Sequence, residues 1–412
     1  MRMKFNKSGQ LALVSAASLL VATLVTACGT LTVDFVFVTS SKAAGSNNYG
    51  EIDVFEVNSE SGFMRQIPTS PFPSGGRDPV AEAISSDNTN LYVVNQDDNT
   101  IVQFIIGNDG KLSPQNTVNT PGIYPLAVAV SGSNLYVLDT YQPLPSCSTA
   151  APCSGSIAVY PITASSTTPP SDTLGSPVAN GSLNYWPLSL PGKPNDILLP
   201  TGIKILASGA EVFVSAYDST ANAGYIFAFS TSSGGVLAPM NGGVPFAAGT
   251  YPSAITSDPS SSYVYVTDTK NGNVLGYSVN AGLLTPLSGS PFPAGGQPSA
   301  IVVDPVYPYL YVANMLDSTV SAYSMSSGTL TRLSSYATGL QPVAIGIDPS
   351  TNHFLYTANY LGTTVDGTVS GFELSSTSGA LVNSQGSPYT ANALPTAVAA
   401  VPHNGAGAGT QK

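Results

Sequence analysis

The sequence predicts an all-β fold, a seven-bladed β-propeller of four-stranded antiparallel blades. Three observations predict it: one four-strand unit recurs along the chain, the prolines opening its clearest copies lie 46 and 44 residues apart, and the two chain ends each hold part of one further unit. That spacing suits a propeller blade and exceeds a leucine-rich or ankyrin repeat. Strands of alternating Tyr, Val and Ile flanked by Asn, Asp and Gly have period two, and no sustained helical period follows the leader, which excludes helical repeats.

The clearest unit opens at Pro252 with Ser253–Pro259, continues through Tyr263–Asp268 and Asn273–Val279, and ends at Leu283–Leu287. The next opens at Pro298 with Leu310-Tyr311-Val312-Ala313-Asn314 as second strand, and another at Pro342 with Leu355-Tyr356-Thr357-Ala358-Asn359. Pro79 and Pro125 open two earlier units, and a degenerate one sits near Pro200, with Glu211–Ser215 as its second strand. The seventh is shared: Phe35–Val38 and Ile52–Val57 lack an inner strand, and Pro395–Val401 is an inner strand lacking the rest. Pairing them closes the ring and leaves no long edge to aggregate. The domain therefore runs over 34–401, with a tail at 402–412. Ser70-Pro71-Phe72-Pro73 and Ser290-Pro291-Phe292-Pro293 are near-duplicates whose prolines suit an outermost edge strand.

The first residues read as an export signal. Arg2, Lys4 and Lys7 precede an apolar stretch from Leu11 to Leu24, shorter than the roughly 20 residues of a spanning helix. It ends Val25-Thr26-Ala27-Cys28, which resembles the bacterial lipobox, so residues 1–27 are expected to be removed, Cys28 to carry lipid, and 28–33 to link anchor to domain. Gly29 after the cysteine favours the outer membrane where the host has one. Cys147 and Cys153 are close enough in sequence to pair as a local staple in an oxidising compartment, and no further Cys or His stands nearby to make a zinc site.

Composition narrows the partners. Only 8% of residues are charged, against 40 Gly, 33 Pro and 21 Tyr, which fits short strands and tight turns; 42% hydrophobic residues argue against disorder. After removal of the leader, nine Lys and Arg face 23 Asp and Glu, a formal charge of −14 that makes nucleic acid a poor partner. No metal or other cofactor is expected; Gln96-Asp97-Asp98-Asn99 offers oxygens without the spacing of a calcium loop.

The second strands, Tyr265-Val266-Thr267-Asp268, Tyr311-Val312-Ala313-Asn314 and Tyr356-Thr357-Ala358-Asn359, resemble those of the YVTN and lactonase-like seven-bladed propellers, and the likeness covers about 34–401. It implies the fold firmly and the activity weakly, since propellers host unrelated functions. Enzymes on the lactonase side, bacterial 6-phosphogluconolactonase among them, resemble one another in carrying His, Arg and Glu at the channel mouth, often with His after the blade-opening Pro. Here that place holds Val80, Leu126, Ser253, Ser299, Val343 and Thr396, and the chain has only His353 and His403. Arg77-Asp78, just before Pro79, is the one pair placed to act on a lactone, the carboxylate as base and the guanidinium as oxyanion donor; the same pair also reads as an exposed turn.

Residues preceding the opening prolines should ring one face of the channel. Tyr124, Tyr251, Gln297 and Gln341, with Asn314 and Asn359 from the adjoining turns, offer stacking faces and hydrogen-bonding groups for a small polar ligand or glycan, while turn chemistry alone also calls for Asn and Asp. Three roles follow as expectations: a cell-envelope ligand-binding or scaffolding module, a lactonase of an unphosphorylated sugar lactone, or a structural part of an envelope assembly docked on other envelope proteins.

Overall fold

The computed structural model describes residues 33–44, 48–58, 60–164, 172–348, 354–361 and 366–402. The expected export signal, Cys28, His353 and His403 lie outside these residues. The described chain forms seven antiparallel sheets arranged as a seven-bladed propeller. Blades 1 to 6 open with Pro79–Ile84, Ile123–Ser131, Leu198–Ile205, Pro252–Ser257, Pro298–Val303 and Leu340–Ile347. Blade 7 joins the chain ends: Val33–Ala44 pairs with Tyr49–Asn58 on one side and with the inner strand Pro395–Val401 on the other.

Period-two alternation decides what each face of a strand does. In the second strand of blade 5, Leu310 and Val312 pack into one buried cluster with blade 4, while Tyr309 and Tyr311 pack into another with blade 6. Each of the seven hydrophobic clusters is built by two neighbouring blades, so the core is a set of seams between blades. A blade buries neither face by itself, and the packing becomes complete when the ring closes.

Tyrosine hydroxyls lock these seams. Second-strand tyrosines reach forward: Tyr265 donates to the Gly328 carbonyl at 2.8 Å and Tyr311 to that of Gly379 at 3.1 Å. Third-strand tyrosines reach back: Tyr160 donates to Asn119 O at 2.9 Å, Tyr277 to Ala247 O and Tyr323 to Pro293 O, both at 2.7 Å. The ring buries well while its O–H finds a partner, which makes Tyr fitter than Phe at these seams.

The fourth strand departs from the simple repeat. In five blades it is split into two short pieces that both pair with the third strand, as Met64–Gln66 and Phe72–Pro73 do with Tyr49–Asn58. At three of the breaks a Ser-Pro bridges the gap, its Oγ accepting the orphaned third-strand N–H: Ser70 from Val54 at 2.8 Å, and Ser290 from Gly276 and Ser387 from Gly371 at 3.0 Å. These Ser-Pro bonds are cis. The duplicated Ser-Pro-Phe-Pro segments thus have a structural use, and Ser387-Pro388 is a third instance. The long stretch 141–196 is the expanded outer half of blade 2; it contributes Ser156–Thr163 and two short outer strands, and its Trp186, Leu188 and Leu190 pack on blade 3. Cys147 and Cys153 are disulfide-bonded within it, their Cα atoms 5.5 Å apart.

Replacing Tyr311 by Phe keeps the ring and removes the bond to Gly379. The expected cost is about 1 kcal/mol, read as a lower denaturant midpoint with an unchanged slope; an unchanged midpoint would deny the hydroxyls a part in holding the seams.

Candidate functional site at the channel mouth

A corner built by a short motif forms the mouth of the channel. Five blades open with Gly-x-x-Pro: Gly76 to Pro79, Gly122 to Pro125, Gly249 to Pro252, Gly295 to Pro298 and Gly339 to Pro342. Each glycine presses against the Asn or Asp that ends the second strand of its blade. A Cβ on Gly122 would lie 2.3 Å from Asp139, and one on Gly295 2.5 Å from Asn314, so only glycine fits. The side chain in turn accepts backbone N–H groups of the corner: Asp139 from Gly122 at 3.1 Å, Asp268 from Thr250 at 2.8 Å and Tyr251 at 3.1 Å, Asn314 from Gly295 at 2.9 Å. Burial pushes the Asp139 carboxyl up to about 7, partly offset by its bonds to Thr120 and Gly122.

Two further features shape this corner. The residue before the proline is left-handed in four blades: Asp78 (φ 50°), Tyr124 (56°), Gln297 (53°) and Gln341 (55°). Non-glycine residues take this conformation at a cost, and such strain gathers at functional sites. The residue after the proline sits at a shift of register in every blade, as between Pro79 and Ala81 or Pro298 and Ala300. Bulges re-aim side chains next to active sites, and this is the place where the family resemblance leads one to look for histidine. Here Ser253, Ser299 and Thr396 each donate at 2.7 Å to the carbonyl of the next blade's opening proline, Pro298, Pro342 and Pro79 respectively. Those hydroxyls lace the neck of the channel together.

The structure separates the expected site residues. Asn314 and Asn359 are fully buried, bonded to Thr319 and Ser321 and to Thr368 and Ser370; they brace the corner and do not reach the mouth, a correction to their placement as ligand-binding groups. Their burial follows from the pleat, which turns the last residue of the second strand into the blade. Tyr124 stands edge-on to Tyr141, ring centroids 6.2 Å apart. Tyr251, 41% exposed, stacks on Tyr217 at 4.4 Å, and with Gln297 lines an open cavity of about 610 Å³. Gln341 holds the same corner in blade 6, its N–H donated to Ser318 Oγ at 3.3 Å.

Arg77 and Asp78 do not pair with each other. The guanidinium binds Asp98, Nη2 at 2.6 Å and Nε at 2.7 Å, and borders a second cavity of about 470 Å³ with Tyr49 and Thr117. Asp98 is held below the usual carboxylate range by Arg77 against the opposing effect of its burial. Asp78 makes no side-chain bond among the described residues; desolvation, with Asp97 nearby, raises its carboxyl above the usual range.

One buried acid was not anticipated. Glu82 lies opposite Val93, the register place filled in the other blades by Val128, Ile203, Ile255, Ile301, Ile345 and Val398. Its carboxylate is enclosed in the seam between blades 7 and 1, with Thr39 Oγ1 donating to Oε2 at 2.5 Å. Desolvation pushes it up to about 8, opposed by Thr39 and the Ala399 N–H. A lone Glu in a repeat of Val and Ile is visible once the inner strands are aligned.

Seven blades of this form, with a polar and aromatic mouth, define a propeller that presents a site at one end of its channel. Residues 36–176 match the family model described as lactonase, 7-bladed β-propeller. It is similar in structure to a Bacteroides fragilis protein provisionally designated a 6-phosphogluconolactonase (18% identity, 90% of this chain and 99% of that one, TM-score 0.69). It is similar also to the periplasmic gluconolactonase PpgL of Pseudomonas aeruginosa (17%, 90% and 99%, 0.69) and to hydrazine synthase of Kuenenia stuttgartiensis (16%, 82% and 95%, 0.53). No curated protein matches it in sequence.

Glu82 makes stability depend on pH. A carboxyl raised in the folded state contributes fully below its unfolded value near 4.5 and loses that contribution as pH rises towards about 8. Glu82→Gln should therefore gain on the native protein between pH 5 and 8, by roughly 3 kcal/mol at pH 7. Parallel unfolding profiles would place the carboxylate in solvent.

Proposed function

We propose that this chain is an exported, lipid-anchored lactone hydrolase of the cell envelope, acting on an unphosphorylated sugar lactone at the channel mouth. The observation that carries the reading is that the stretch matching the lactonase family model contains the Arg77-Asp78 corner, where Asp78 is a desolvated carboxyl with no side-chain bond among the described residues and the neighbouring residue in the chain, Arg77, borders a cavity. Asp78 takes a proton from water as the water oxygen adds to the lactone carbonyl. Arg77, half-exposed and oriented by Asp98, donates to the carbonyl oxygen as negative charge develops on it. The ring C–O bond then breaks, the leaving oxygen takes the proton held by Asp78, and a hydroxy acid departs, leaving the carboxylate ready for the next water.

The substrate class follows from charge: a net −11 repels phosphorylated sugars, and export through a signal ending at Ala27 would take the protein away from them. A periplasmic gluconolactonase shares the fold, so the fold accommodates a neutral sugar lactone. One observation favours a second reading, an envelope module that binds a polar ligand or glycan without turnover: Arg77 is already neutralised by Asp98.

The full chain, purified in detergent, should hydrolyse one or more of a panel of aldonolactones. Asp78→Asn should lower kcat by roughly 10²–10⁴-fold and Arg77→Ala by roughly 10²–10³-fold, and the rate should fall as pH drops through the Asp78 pKa, which lies above the usual carboxylate value. Turnover untouched by either substitution would remove this corner from the chemistry, and no turnover on any lactone would leave the binding reading.

A further inference from the structure

The cavity of about 610 Å³ spans the corners of blades 4 and 5, across the ring from Asp78 in blade 1, and lies within the ~300–1,000 Å³ usual for small-molecule sites. We infer that it is a binding site for a saccharide bearing a carboxylate, with Tyr251 as its stacking platform and Lys270 as its anion partner. The site is independent of lactone hydrolysis and is tested by binding.

Its platform is fixed in advance. The Tyr251 backbone N–H is held by Asp268 Oδ1 at 3.1 Å, and its ring is backed by Tyr217, whose hydroxyl is anchored on Asn222 at 2.5 Å. A ring immobilised in the free protein loses little entropy when a ligand settles on it. Leu316, 68% exposed, borders the same cavity and adds an apolar surface for the C–H face of a sugar.

Hydrogen-bonding groups surround it. Asn271 spends its amide nitrogen on Thr250 Oγ1 at 2.9 Å and Asp268 Oδ2 at 2.7 Å, which leaves its carbonyl oxygen for a sugar hydroxyl. Gln297, left-handed before Pro298, brings a donor and an acceptor on one side chain.

Charge gives the selectivity. Arg65, Arg77, Lys111 and Lys193 are each paired with a carboxylate, whereas Lys270 is exposed on the cavity wall and makes no ion pair among the described residues. Asp317, the carboxylate at the rim, is turned onto the Gly296 N–H at 2.6 Å. An unspent ammonium beside an aromatic platform, on a chain of net charge −11, is where an anionic sugar has a partner.

The test is titration of the full chain with methyl glucuronide and methyl glucoside, followed by calorimetry and saturation-transfer NMR. The glucuronide should bind saturably and about tenfold more tightly than the glucoside, equivalent to one charged contact. Lys270→Gln should abolish the difference, Tyr251→Ala should abolish binding of both, and high salt should weaken only the glucuronide. Absence of saturable glucuronide binding, equal affinity for the two sugars, or a Lys270→Gln variant that keeps the preference would each overturn the assignment. Lactonase turnover is measured in parallel, so failure of one reading is distinct from failure of the other.

Discussion

Everything in this molecule depends on the closure of the ring, where Val33–Ala44 from one end of the chain pairs with Pro395–Val401 from the other. Bringing together residues so distant in sequence costs chain entropy before any contact repays it. Repayment comes from the seams: with seven clusters each shared by two blades, an open ring would leave two of its faces exposed to water. The bonds of Tyr265 and Tyr311 forward, and of Tyr160, Tyr277 and Tyr323 back, turn that non-directional burial into a defined register, because each of these five hydroxyls meets one particular carbonyl of the neighbouring blade.

The same economy builds the mouth. A Gly-x-x-Pro corner needs a glycine for the close approach of an Asn or Asp and a proline to begin the inner strand, and in four of the five the residue before the proline is left-handed. Because the structural work is done by the glycine, the proline and the buried Asn or Asp, the residue before the proline is free to vary. It does vary, through Asp78, Tyr124, Tyr251, Gln297 and Gln341. Function can be grafted there without disturbing a seam, whereas the residue after the proline, in blades 4, 5 and 7, is committed to the hydroxyl bonds that join consecutive blades.

This division also explains what could be read in the sequence. Blade boundaries, ring closure and the outer placement of Ser-Pro-Phe-Pro were legible because they follow from local period, spacing and the missing proline N–H. Asn314 and Asn359 were misplaced because a turn residue and a strand-end residue look alike in sequence and differ only in the direction of the pleat. The Arg77 partner was out of reach, since Asp98 comes to it across a turn while the adjacent Asp78 points elsewhere. Glu82 and the Gly-x-x-Pro motif carried a signal in the repeat alignment itself, one as a break in an apolar column and the other as a column of glycines.

A propeller gives its two sides of the mouth different chemistry because its blades are equivalent in backbone and independent in side chain. Blade 1 holds a desolvated carboxyl and a paired guanidinium; blades 3 to 5 hold a stacked tyrosine pair and an unspent ammonium. The first arrangement suits bond breaking, where a base must gain a proton and a cation must meet a charge as it forms. The second suits holding, since stacking and a solvent-exposed ammonium stabilise a bound sugar equally before and after any reaction. A ligand long enough to touch both would use binding strength on one side of the channel to position a bond on the other, and the fold requires no moving part for this, only that the ring stay closed.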